Sequence, residues 1–138
     1  MPNPNISDFE MRSLSSLGVT LFDCEHRTPK PSSNGFAYIA IPNIQHGHID
    51  LANVRCISEK DFMDWTRKNK PQPGDIVLTR RARVGDTAVI PIGLQCAIGQ
   101  NIVTLRSDEK HIKQKFLRWA WTHLPAASSK IFECRRNI

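Results

Sequence analysis

The run Pro73-Gly74-Asp75-Ile76-Val77-Leu78-Thr79 constrains the fold more than any other part of this chain. Pro-Gly-Asp is a turn, and the aliphatic triplet behind it reads as a buried strand. The chain then continues Arg80-Arg81-Ala82-Arg83-Val84-Gly85, so the strand delivers three guanidiniums into one loop bounded by a glycine. The planar fork of arginine matches phosphate oxygens and the O6/N7 edge of guanine, bidentate in both cases. A loop fixed by a core strand holds such groups better than a free tail does. The alternative reading is that two of the three arginines make surface ion pairs.

The rest of the chain supplies short elements around this strand. Ser7-Asp8-Phe9-Glu10 fits a capping box that opens a short helix through Ser16, with Gly18 ending it. Leu21–Ser33 reads as a long polar loop. Phe36–Ile41 is a strand closed by Pro42 and Asn43, followed by a turn around His46-Gly47-His48 and an extended stretch to Ile57. Ser58 is an N-cap for a helix carrying Phe62 and Trp65, which stops before Lys70–Gly74. Strands are expected over Thr87–Ile92, Leu94–Ile98 and Asn101–Arg106. A last helix, capped by Ser107 or Asp108, aligns Ile112, Phe116, Leu117, Ala120 and Leu124 in one stripe and ends at Pro125. With 138 residues, 40% of them apolar, this is one domain with a real core. The expected class is α+β: a single mixed domain with a twisted multi-stranded sheet of short strands and two or three helices. Residues 1–16 form an N-terminal segment, 17–124 the domain proper, and 125–138 an irregular tail that reads as truncated.

Charge is distributed unevenly. Residues 1–66 carry net −3, residues 67–118 net +7 and residues 119–138 net +2. That asymmetry is expected of a face that binds a polyanion, or of a basic soluble surface. The longest apolar stretches are far too short to span a bilayer, and no apolar signal core stands near the N-terminus, so a cytoplasmic protein is expected. Cys24, Cys56, Cys96 and Cys134 are isolated and read as free thiols. Cys24 with His26, and His46 with His48, are the only sets that hint at a metal, and their spacing favours surface or core roles instead. A Cys24–His26 nucleophile and base, as in a small hydrolase, lacks a recognisable orienting group or oxyanion hole.

The order of blocks carries further meaning. Asp23-Cys24-Glu25-His26-Arg27-Thr28-Pro29 comes first, then Gly35-Phe36-Ala37-Tyr38-Ile39-Ala40-Ile41-Pro42-Asn43-Ile44, Gly47-His48-Ile49 and Ile57-Ser58. The Gly74–Arg80 strand follows, and then Gly99-Gln100-Asn101-Ile102-Val103-Thr104-Leu105-Arg106. Over residues 17–124 this succession resembles a target recognition domain of the DNA specificity subunit of Type I restriction–modification enzymes. The resemblance implies double-stranded DNA recognition without catalysis and without a cofactor of its own. In that family two such domains sit on long helical spacers. Methyltransferase subunits that use S-adenosylmethionine dock on the specificity subunit, and motor/nuclease subunits join to cleave unmodified DNA. This sequence shows one domain and no long heptad helix, so it looks like a fragment or a reduced stand-alone version.

On this reading Arg80, Arg81 and Arg83 are the first candidates for DNA contact. The loop of His26, Arg27, Thr28 and Lys30 comes second, and the turn of Gln45 and His46 third, since glutamine can pair with adenine. Against each stands a simply solvated loop. Gln100 and Asn101 read as a strand-entry turn, Lys113, Lys115 and Arg118 as a solvated helix face, and Trp65, Trp119 and Trp121 as core or interface. The alternative function is a protein-interaction module, one that no longer binds DNA alone and pairs with another specificity chain.

Overall fold

The computed structural model describes residues 12–45, 47–83 and 85–123. Among the described residues, nine strands and two α-helices follow in chain order: β1 (Val19–Phe22), β2 (Phe36–Ile39), β3 (Ile44–Gln45), β4 (His48–Ile49), β5 (Arg55–Ile57), α1 (Glu59–Trp65), β6 (Ile76–Thr79), β7 (Thr87–Val89), β8 (Cys96–Ile98), β9 (Ile102–Ser107) and α2 (Gln114–His123). Short 3-10 turns cover Ser15–Leu17 and Ile41–Asn43.

The strands form three sheets. The largest has the order β1-β9-β6-β7 and is antiparallel throughout. The second, β5-β2-β8, joins β2 and β8 in parallel and β2 and β5 antiparallel. The third is the β3–β4 hairpin. The α+β class holds, but the single twisted sheet expected from the sequence is divided into three.

Side-chain alternation explains the layering. On β6, Ile76 and Leu78 pack with Val19, Val103, Leu105, Leu117 and Trp121, so this face lies under α2. Val77 points the other way and meets Ile39, Ile44, Ala88, Ile98 and Ile102 in the core between the two larger sheets. On β2, Ile39 enters that same central core, while Tyr38 joins Ile57, Phe62, Trp65 and Ala97 beneath α1. The layers therefore run α2, four-stranded sheet, three-stranded sheet, α1. This is why Ile76, Val77 and Leu78 are all buried: β6 has a hydrophobic layer on each side. Each such side chain contributes ~1.5–3 kcal/mol on burial.

Several boundaries differ from the expectation. Residues 19–22, half of them assigned to a polar loop, form β1, because Val19 and Leu21 pack with the core under α2 and the strand pairs along β9. The last helix begins at Gln114 rather than behind Ser107 or Asp108. Ser107 ends β9, Glu109 has φ +66°, and the Asp108 carboxylate accepts from Lys110 N in a local turn. Gln114 anchors the helix start by accepting from Ser107 N (2.7 Å) and donating to Gly74 O and Leu105 O. Strand β7 stops at Val89, and Ile92 is almost fully exposed. The α1 expectation holds in detail: Ser58 Oγ accepts from Asp61 N, and Phe62 and Trp65 are buried. Gly18 ends the first turn at φ +76°. The capping box at residues 7–10, Cys134, Leu124, Pro125 and the tail to residue 138 lie outside the described residues.

One ion pair fixes the frame of the large sheet. Asp75 is buried and accepts from Arg106 Nε (2.7 Å) and Nη2 (2.6 Å), and also from Gln72 N. The Arg106 guanidinium lies 4.7 Å from the Phe22 ring, which ties β1 to the same pair.

Candidate nucleic-acid interface

Antiparallel pairing brings three connections to one end of the four-stranded sheet. The end of β1 (Phe22) faces Thr104, and the end of β6 (Thr79) faces Ile102. The loop after β1, the β6–β7 loop and the β8–β9 turn therefore emerge together. Direct contacts join them. Arg80 Nη2 lies 3.3 Å from Asp23 Oδ1, Arg80 N donates to Asn101 O (2.7 Å), and Gln100 Nε2 donates to Thr28 Oγ1 (2.9 Å). Two of the three segments proposed from the sequence, far apart in the chain, thus share one edge.

The third segment joins through Arg83. Its Nη2 donates to Ile41 O (3.2 Å) and Ile44 O (2.9 Å), and its Nε faces Asp86 Oδ2 at 3.3 Å. The β3–β4 hairpin is held beside it, with Gly47 N donating to Thr87 O. Gln45 Nε2 donates to Pro42 O, which ties this amide to its own turn. His46 lies outside the described residues.

The β6–β7 loop is closed by local hydrogen bonds. The Thr79 hydroxyl donates to Arg83 O and accepts from Asp86 N (3.1 Å), while Thr79 N and O pair with Asp86 O and Gly85 N. This closes the loop around Ala82, which sits at φ +60°, a conformation non-glycine residues adopt only when held there. The three arginines consequently do different things. Arg80 is four-fifths buried and paired with Asp23. Arg83 staples two loops together. Arg81 is exposed and has no hydrogen bond or ion pair among the described residues. The alternative that two of the three would form ion pairs describes Arg80 and Arg83.

The loop after β1 has its own support. Arg27 guanidinium lies 4.4 Å from the centroid of the Trp65 ring, and Trp65 Nε1 donates to Arg27 O (3.3 Å). The Glu25 carboxylate, mostly buried, sits 3.6 Å from Arg27 Nε and 3.8 Å from Lys68 Nζ. His26 is exposed beside Asp23 at 3.4 Å, and Lys30 is exposed. Asp23, Glu25, Trp65 and Lys68 were not singled out for this edge from the sequence. Trp65 lies 38 residues from Arg27, and only the tertiary fold brings them together.

The Cys24–His26 pair is not arranged for catalysis. Cys24 is half-buried, and burial pushes its thiol pKa up, away from the thiolate a nucleophile needs. His26 is turned to Asp23. Among the described residues no group of three or more His, Cys, Asp or Glu side chains could hold a metal ion, and no helix is long and apolar enough to cross a membrane. Trp65 and Trp121 are buried, and Trp119 is half-exposed between Phe116 and His123.

No protein-family model matches the chain, and no curated protein does. Solved structures do. The HsdS subunit from Thermoanaerobacter tengcongensis superimposes with a TM-score of 0.56 at 21% identity, over 80% of this chain. The fold is that of a segment of HsdS. This chain spans 26% of the length of that HsdS subunit. A second solved structure, from work on complex assembly and conformational transition of the type I R-M system, has a TM-score of 0.47 at 22% identity. It covers 80% of this chain and 29% of its own. At these identities the likeness to HsdS is one of fold, and the residues of the loop edge are this chain's own.

Proposed function

We propose that this chain recognises double-stranded DNA without catalysis, through the edge built from the loop after β1, the β6–β7 loop and the β8–β9 turn. The observation that carries the reading is the convergence of the basic loops on one end of one sheet. Arg27, Lys30 and Arg81 are presented outward, while Asp23, Glu25 and Asp86 are engaged by cations of the same edge. Phosphate contacts supply affinity and orientation, and a few side chains on base edges supply sequence. The HsdS-like fold supports the further step. As a specificity component the chain would direct methyltransferase (modification) and motor/nuclease (restriction) subunits to a site, in a cytoplasmic setting.

Binding of the 138-residue chain to a mixed duplex library across a salt series tests this. Log affinity should fall linearly with log salt, with a slope of about −0.9 per phosphate neutralised. Changing Arg27, Lys30 and Arg81 together to alanine should flatten that slope. Absence of duplex binding at low salt would overturn the reading. One observation favours the protein-interaction alternative: Phe116 and Trp119 stack on the outer side of α2, half-exposed. A chain that binds a partner protein through this helix and never binds DNA would support that alternative instead.

A further inference from the structure

We infer that Arg27 is the sequence-reading residue of this edge, donating from its two terminal nitrogens to O6 and N7 of a guanine in the major groove, with Arg81 confined to phosphate. The inference rests on the DNA-binding reading above and assigns roles within it.

A base contact needs a guanidinium whose plane and direction are set before binding. A phosphate contact needs only charge within reach. Arg27 is set in three ways. Its guanidinium carbon lies over the Trp65 indole, 4.4 Å from the ring centroid. Its carbonyl accepts from the Nε1 of that same indole, so one ring fixes both backbone and side chain. Its Nε faces Glu25, whose carboxylate is only 13% exposed and is flanked on its other oxygen by Lys68. With Nε turned inward, the edge left outward is the pair Nη1/Nη2, the end-on fork that matches O6 and N7 of guanine. Among the described residues no hydrogen bond engages those two nitrogens, and the side chain is 58% exposed. Trp65 is itself buried beneath α1 and belongs to the core, so the platform does not move with the loop.

The other arginines lack this combination. Arg80 is mostly buried against Asp23, and the Nη2 and Nε of Arg83 are taken by two carbonyls and Asp86. Arg81 is exposed with nothing orienting it, which suits a phosphate and not a base edge.

Selection of bound duplexes from a randomised library separates these roles, using the full chain and the variants Arg27→Lys and Arg81→Lys. Both keep the positive charge, and both positions are exposed, so the fold is retained. Wild type should enrich a motif containing at least one G·C position. Arg27→Lys should lose the preference at that position alone, by about 5- to 150-fold, which is the ~1–3 kcal/mol of one bidentate pair at tenfold per 1.4 kcal/mol. Its salt slope should stay unchanged, and Arg81→Lys should keep the whole motif. If Arg27→Lys keeps the wild-type motif, or if the chain binds duplexes with no preference, the role given to Arg27 is overturned while DNA binding stands. If the chain binds no duplex, both fall together.

Discussion

Changing Arg83 to alanine separates a staple from a contact. The side chain donates from Nη2 to Ile41 O and Ile44 O and faces Asp86. A hydrogen bond from a charged donor is worth ~1.5–3 kcal/mol when its surroundings are dry. Arg83 is 46% exposed, so solvent screening reduces the two bonds to roughly 1.5 kcal/mol in all, and the Asp86 pair adds little. At an m-value of about 1.5 kcal/mol/M, the urea midpoint should fall by roughly 1 M. Arg81→Ala removes no internal partner among the described residues, and its stability should stay within about 0.5 kcal/mol of wild type. Chemical denaturation followed by tryptophan fluorescence reads both. Equal midpoints for Arg83→Ala and wild type would refute the staple, and with it the argument that Arg83 is spent on holding the β3–β4 hairpin in place.

Two further outcomes follow from the core. Asp75→Ala should cost up to ~3 kcal/mol, the low end of the range for removing one partner of a buried pair, because Gln72 N loses its acceptor and the partly exposed Arg106 keeps only Lys70 O; a loss under 1 kcal/mol in the same urea assay would place this pair with ordinary surface pairs. Burial pushes the Cys96 thiol from 9.0 up to about 12. The unfolded thiol therefore ionises first, so the chain loses stability as pH rises from about 9 to about 12, by ~1.4 kcal/mol per pH unit at most, and has no such dependence below. Subtracting the alkaline stability profile of Cys96→Ala from that of wild type isolates this dependence, and identical profiles would contradict it.

Much of the fold was legible because it is written in local patterns. Ser58 followed by Phe62 and Trp65 specifies α1 through a cap and a buried spacing, and Ile76-Val77-Leu78 specifies an interior strand by composition alone. What escaped depends on partners distant in the chain. Val19–Phe22 reads as a strand only once β9 is beside it, and the turn at Ser107–Lys113 exists because Gln114 reaches back to Gly74 and Leu105. The basic loops could be named from the sequence, but not their division of labour. Nothing local says that Arg80 meets Asp23, that Arg83 meets Ile44, or that Arg27 lies on Trp65. The HsdS-like fold was legible from the order of the blocks, since all but the first, the Asp23–Pro29 loop, contain strand residues whose place in the sheets is fixed by pairing.

Amide chemical-shift mapping during titration with duplex DNA tests the central claim most directly. The largest changes should fall at residues 23–28, 80–86 and 99–101, with α2 unaffected. Changes concentrated on α2, or spread without regard to that end of the sheet, would contradict it.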